Sequence, residues 1–311
     1  MQPEIVVVGS LNLDLVARVP RRPRGGETLL GYRLDQFPGG KGANQAVAAA
    51  RLGAGVAMVG AVGADGFGET LLAALAGDGV DTRWVERRPG VGTGVALITV
   101  DDQAENSIVV IPGANGEVTP EQVAAAEPAI AGAKVMLLQL EIPLSAVQAA
   151  AELGRRHGLT VILDPAPAPA APLPRELMEL ADFVTPNETE AAALTGLTVD
   201  PADPRPVAEA LLGQGARRAL VKLGARGVYC LGPEGEFRHP GFPVAAVDTT
   251  AAGDAFAGGL AAALVQGLPL AEALAWGCAA GALAVTRPGA QAAMATRDEL
   301  IAFLQERSQA R

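Results

Sequence analysis

The feature that most restricts this chain is a repeated alternation of short apolar runs with longer alanine- and leucine-rich stretches. The runs at 5–8, 56–62, 135–140, 159–163, 183–185 and 219–223 are apolar at consecutive positions rather than at every second one. Strands of that kind are buried on both faces, as in a parallel sheet with helices above and below. The stretches at 44–52, 68–77, 121–130, 144–157 and 188–195 are long enough to be those helices. Such a sheet holds ligands at the carboxyl ends of its strands, so the polar residues just after each run carry the functional information.

Two regions break the rhythm. Residues 13–19 with 28–37, and 93–100 with 107–111, read as hairpin pairs with partial alternation. They can join into one small sheet beside the main one, with the glycine-rich segment 90–94 as a hinge. No repeat or linker divides the 311 residues. We therefore expect one domain over 1–311, with a lid from segments near 12–38 and 91–112.

Half of the residues are hydrophobic and 19% are charged, the profile of a well-packed soluble protein. With 24 basic against 34 acidic residues, a net charge of −10 leaves no basic stripe for a phosphate backbone. That argues against a nucleic-acid partner. It says little against ATP, which a few backbone amides and one or two cations can hold. Lys41, Lys134 and Lys222 are the only lysines, so one at a glycine-rich turn stands out. Cys230 and Cys278 form no CxxC pattern and no histidine cluster accompanies them, which argues against structural zinc or a disulfide framework and suits a reducing cytoplasm. The start, MQPEIVVVGS, does not read as a signal peptide. In 255–286, where Glu272 is the only charge, Gly258, Gly259, Gly267, Pro269 and Gly277 leave pieces too short for a bilayer. Two buried helices and no membrane partner are expected there.

Two glycine-rich turns could carry chemistry. In Asp248-Thr249-Thr250-Ala251-Ala252-Gly253-Asp254, small residues open a long apolar helix whose first amides suit a phosphoryl oxygen. Asp254, in the first turn, can take a hydroxyl proton there, or can simply cap the helix. In Gly39-Gly40-Lys41-Gly42-Ala43-Asn44, Gly42 stands where a Walker A loop needs Ser or Thr, so this is not a P-loop. No GxGxxG follows a strand, which leaves dinucleotide binding without support. Lys41, Asn44 and nearby amides can instead hold polyol hydroxyls, or the turn is a plain helix start. Asn12 and Asp14 follow the first run and Glu141 follows the third, the carboxylates and amides that sugar recognition needs. Asn187 and Glu190 lie one helical turn apart past the 183–185 run, where a carboxylate can organise Mg²⁺ through water.

The ordered set GGKGAN, TPNETE, VKLGARG and DTTAAGDAF, spread over essentially the whole chain, resembles the ribokinase-like carbohydrate kinase family. The resemblance implies an α/β fold, a three-layer α/β/α sandwich with a mainly parallel central sheet and a small β-sheet lid. It implies phosphorylation of D-ribose at O5 by ATP, or a sibling reaction on 2-deoxyribose, fructose, a nucleoside or a sugar acid. A non-catalytic sugar or nucleotide sensor is the alternative from another class, although a sensor has no need of Asp254. By the same resemblance Asp254 is the general base and Ala251, Ala252 and Gly253 are the anion hole. Asn12, Asp14, Gly40, Lys41, Asn44 and Glu141 bind sugar. Asn187 binds nucleotide with Lys222, Leu223, Gly224, Ala225, Arg226, Gly227 and Gly253, and Glu190 faces hydrated Mg²⁺. Asp248, Thr250, Ala284, Arg287, Gly289 and Ala293 form a K⁺ loop, and two lids pair in a homodimer. Three positions depart from the pattern: Ala251 replaces a glycine, Ala293 a serine, and Cys278 a His or Asn near the adenine. His157 and His239 match no catalytic position.

Overall fold

The first strand is apolar on both sides because both sides are covered. In the computed structural model, which describes residues 2–103, 105–169 and 171–309, β1 (Ile5–Val8) sends Ile5 and Val7 into one core and Val6 and Val8 into another. The same division runs across its neighbours: Leu137, Ile162 and Leu220 join the first core, while Met136, Leu138, Val161, Leu163 and Val221 join the second. One sheet between two helical layers follows from that burial.

The remaining strands in chain order are β2 (Asn12–Arg18), β3 (Arg33–Gly39), β4 (Val56–Gly63), β5 (Asp81–Arg88), β6 (Gly94–Val100), β7 (Asn106–Ile111), β8 (Val135–Leu138), β9 (Thr160–Leu163), β10 (Phe183–Val184), β11 (Ala219–Lys222), β12 (Val228–Gly232) and β13 (Gly235–His239). Among the described residues the large sheet has nine strands in the order β13-β12-β11-β10-β9-β8-β1-β4-β5. All its pairings are parallel except those that β12 makes with β11 and β13. The chain leaves β1 for β4 on one side and later returns to β8 on the other. The crevice outside the carboxyl ends of β1 and β8 is thus the switch point where such sheets bind ligands.

The small sheet runs β3-β2-β6-β7. Its two outer pairings are antiparallel, and β2 joins β6 in parallel across the gap between the two hairpins. β3 begins at Arg33, so the expected strand over 28–37 is confined to its second half. The expected helix over 121–130 is two pieces, Pro120–Ala125 and Glu127–Ile130. Pro128 has no N–H to continue the first helix, which accounts for the break. β5, β12 and β13 fall outside the apolar-run pattern. β5, with sequence DTRWVERR, is an edge strand whose charges reach solvent. β12 and β13 form a short hairpin in which only the inner strand is buried. The 255–286 stretch is two helices, Ala252–Val265 and Leu270–Ala284, and no helix of the described residues is long and apolar enough to cross a membrane.

Candidate active site

Several polar residues of the site sit just past the ends of the parallel strands. Past β1, the Ser10 hydroxyl donates to Glu141 Oε2 at 2.5 Å, and Glu141 itself follows β8. The Lys41 backbone N–H donates to the same carboxylate oxygen at 3.1 Å, so the glycine turn before the Lys41–Arg51 helix is tied to the switch point. That turn needs its glycines. Gly40 has φ 88°, and a Cβ on it would lie 2.6 Å from the Asn12 nitrogen. A Cβ on Gly39 would lie 2.4 Å from a carboxylate oxygen of Asp14. Asn12 is buried and accepts from Asn115 Nδ2 at 2.7 Å, while Asn115 also bonds the backbone of Leu11 in both directions at 2.9 Å. Asp14 stands on β2 in register with Phe37, Ala96 and, through Ala96, Val110, which together make one row of the small sheet.

Asp254 enters the same space from the opposite side. It lies in the first turn of the Ala252–Val265 helix and is 4% exposed. Its carboxylate accepts from Asn44 Nδ2 at 2.9 Å and from Gln45 Nε2 at 3.1 Å. No side chain caps this helix. Its first i−4 bond runs from the Ala255 amide to the Ala251 carbonyl at 2.9 Å, so the Gly253 and Asp254 amides precede the ladder. Ala251 has φ 59°, the only left-handed residue besides glycines among those described. A left-handed residue just before a helix start is the kind of turn that can direct backbone amides at an anion.

The electrostatics fit a site that holds charge out of water. Burial pushes the Asp254 carboxyl up to about 6; Lys41 works against that rise and Asp164 adds to it. Burial, then the charges of Glu141 and Asp254, push Asp14 up to about 7. Burial opposes the charge on Lys41, yet Asp254, Asp164, Glu141 and Glu190 outweigh it and hold the ammonium above its ordinary pKa. Glu190 is also raised, chiefly by burial. Its carboxylate accepts from the Asn187 amide at 2.8 Å while Asn187 Oδ1 accepts from the Glu190 amide at 2.9 Å, a capping box at the start of the Glu188–Thr195 helix.

Beside Asp254 a cavity of about 470 Å³ opens between the 222–227 loop, the 241–246 segment and the two long helices. Lys222, Gly224, Ala225, Gly227, Gly253 and Cys278 line it, as do Phe242, Val244 and Gly281. Of the expected nucleotide residues, Leu223 instead packs in the core, Arg226 donates to Glu188 at 2.6 Å, and Asn187 caps its helix. Burial pushes the Cys278 thiol up to about 12, so it is an inert wall. Asp248 accepts from the amides of Thr250 and Gly289, each at 2.9 Å, which joins the loop before the Ala252–Val265 helix to the 286–290 turn. Burial opposes ionisation of Asp248, but these hydrogen bonds prevail and hold its pKa below the ordinary value. Ala284 and Ala293 are fully buried nearby in sequence, and the Arg287 guanidinium pairs with Glu299. His157 pairs with Glu127 at 2.7 Å and, among the described residues, with none of the site.

Sequence reasoning missed four members of the constellation. Asp164, at the end of β9, accepts from Lys222 Nζ at 2.7 Å and from Gln45 Nε2 at 3.0 Å. Ser10, Gln45 and Asn115 complete the set. Asp164 was legible in principle, because it is a carboxylate directly after an apolar run. Gln45 and Asn115 carry no local signal.

A switch-point crevice with a buried carboxylate at a helix start, polyol-type donors on one side and a cavity on the other defines a phosphotransferase of the carbohydrate kinase type. The profile of the pfkB family carbohydrate kinases matches residues 2–297, and the chain belongs to that family. It is similar to the ribokinase of Haemophilus influenzae, with 43% identity over 307 residues that cover 98% of this chain and 99% of that one. It is also similar to a deoxyribokinase of Salmonella typhimurium, with 37% identity over 302 residues covering 97% and 98%. The structure of Arabidopsis thaliana ribokinase complexed with ribose and ATP superposes with a TM-score of 0.92 at 34% identity, covering 98% of this chain and 99% of that one.

Proposed function

We propose that this chain transfers the γ-phosphoryl group of ATP to O5 of D-ribose, giving D-ribose 5-phosphate and ADP. One observation carries the reading: the Asp254 carboxylate is buried between a cluster of hydrogen-bonding groups and a cavity of about 470 Å³. In the reaction the 5-hydroxyl gives its proton to Asp254 as the O5–P bond forms, and the bond from phosphorus to the ADP oxygen breaks. The amides at Ala251, Ala252 and Gly253 take up charge on the transferred group. Asn12, Asp14, Gly40, Lys41, Asn44 and Glu141 hold the sugar. Lys222, Gly224, Ala225 and Gly227, with Gly253 and Cys278, frame the nucleotide.

The four-stranded sheet, drawn from segments near 12–38 and 91–112 of a single domain, acts as a lid that excludes water. Its exposed apolar residues, among them Leu34 at 62% and Val109 at 60%, support a homodimer joined lid to lid. The donor set for Mg²⁺ is Glu190 alone. Among the described residues no three acidic, His or Cys side chains cluster as a direct cage, so the ion would be held by Glu190 through water. When bound it supplies positive charge to the phosphate oxygens. For K⁺, Asp248, held in its ionised form by the Thr250 and Gly289 amides, with backbone carbonyls of Thr250, Ala284, Arg287, Gly289 and Ala293, would hold a large, weakly hydrated ion. The buried, free thiols of Cys230 and Cys278 suit a cytoplasmic location.

A coupled ADP-release assay across ribose, 2-deoxyribose, fructose, nucleosides and sugar acids tests the reading. Ribose should give the highest kcat/KM. The deoxyribokinase relative makes 2-deoxyribose the sharpest competitor. ADP from no acceptor would leave a sugar or nucleotide sensor in place of the kinase.

A further inference from the structure

Gln45 has no place among the expected sugar or nucleotide residues, yet it sits at the centre of the site. It lies on the Lys41–Arg51 helix and is fully buried. Its Nε2 donates to two carboxylates at once, Asp254 Oδ1 at 3.1 Å and Asp164 Oδ2 at 3.0 Å. Its Oε1 accepts from Gln139 Nε2 at 2.6 Å, which fixes the amide so that the NH₂ end faces the two acids. Asp164 in turn accepts from Lys222 Nζ at 2.7 Å, and that ammonium lies beside Gly253, where an added Cβ would meet it at 3.3 Å.

We infer that Gln45 is a positioning residue for phosphoryl transfer: one amide holds the proposed base and Asp164 in a fixed mutual geometry, linking the sugar side of the site to the lysine on the nucleotide side. Asp164 raises the pKa of Asp254, and the Gln45 amide between them offsets part of that rise. A neutral amide is suited to that duty, because it donates to both and adds no charge of its own. The other groups that act on Asp254 are Asn44 and Lys41 from the helix of Gln45, Asp14 from β2 and Asp164 from the loop after β9, while Glu141, from the loop after β8, acts on Asp14 and Lys41. Among these Lys41 is the one cation acting directly on Asp254, so the neutral donors Asn44 and Gln45 supply the rest of the support. Burial already holds Asp254 at about 6, which leaves it ionised at neutral pH by a narrow margin.

This inference rests on the kinase reading above. Its test is the pH profile of kcat/KM for the parent chain, Gln45→Met and Gln45→Glu, with sugar binding and thermal melts followed in parallel. Removing one hydrogen bond to a charged carboxylate should move the acid limb up by about one to two pH units. Turnover in Gln45→Met should therefore fall roughly two- to tenfold at pH 7 and recover toward the parent's as pH rises to about 9. Gln45→Glu keeps the volume and adds a third acid, so its acid limb should move at least as far. If Gln45→Met does not fold, the glutamate variant carries the test alone. Acid limbs that coincide with the parent's, with any loss of rate equal at every pH, would reduce Gln45 to a packing residue. No ADP from the parent chain with any acceptor would remove the kinase reading and this inference together.

Discussion

Replacing Asp254 by asparagine separates what the carboxylate does for chemistry from what it does to the fold. The side chain keeps its shape and loses proton acceptance, so kcat should drop about 10²- to 10⁴-fold, the usual range for loss of a general base. Stability should move the other way. The folded protein raises this carboxyl from its ordinary 3.8 to about 6. At 1.36 kcal/mol for each pKa unit, that rise corresponds to about 3 kcal/mol held against folding once the group is ionised. Between pH 3.8 and about 6 the folded state keeps a proton that the unfolded chain has released. Stability therefore falls as pH rises through that window, and the full penalty is present above it.

Asparagine abolishes the penalty, but two effects offset the gain. Asn44 and Gln45 both donate to Asp254, and an amide there offers them one oxygen. The Asn44 Oδ1 has no partner in the described structure, so a flip of Asn44 supplies the missing acceptor. Lys41 also loses one of four attracting carboxylates. Against these, Asp14, which Asp254 helps push up to about 7, is relieved. The net gain should be of the order of 1–2 kcal/mol, or roughly 2–5 °C in Tm, at pH 8. At pH 4.5 it should vanish. Thermal melts of both proteins across pH 4.5–8 make the comparison. A difference in Tm that does not change with pH would refute the electrostatic reasoning, and near-normal turnover would refute the role of Asp254 as base.

The remaining expectations are quicker to test. Turnover in KCl should exceed that in NaCl at equal ionic strength, with Asp248→Ala abolishing the difference; equal rates from enzyme stripped of potassium would remove the cation from the mechanism. Light scattering at micromolar concentration should give about twice the 31.5 kDa of one chain, and Val109→Lys should shift it toward one; a monomeric parent would defeat the lid-to-lid dimer. Ala251→Gly relieves a left-handed backbone that costs a non-glycine residue about 1–2 kcal/mol, and returns up to about 1 kcal/mol as chain entropy. Urea melts should therefore show a small gain or no change, and a loss beyond about 1 kcal/mol would show that the methyl group packs usefully.

The local pattern was enough for most of the central sheet and for the first candidates at the site. β1, β4, β8, β9, β10 and β11 announce themselves because a strand covered on both faces must be apolar at every position. Asp14, Glu141 and Asn187 drew attention because ligand groups of such a sheet follow those strands directly. Asp254 was found because small residues before an apolar helix are themselves a local signal. The tertiary structure decided the rest. Edge strand β5 and hairpin strands β12 and β13 take their pairing from neighbours rather than from their own composition. The two lid hairpins are local, but the parallel pairing of β2 with β6 that unites them is not. Gln45 bonds residues 119 and 209 positions away, and Asn115 bonds ones 103 and 104 away. A glutamine on a buried helix face carries no mark of that duty in its own stretch of chain. Hydrogen bonds act over about 3 Å of space and are blind to sequence distance, so only folding brings Gln45 between its two carboxylates.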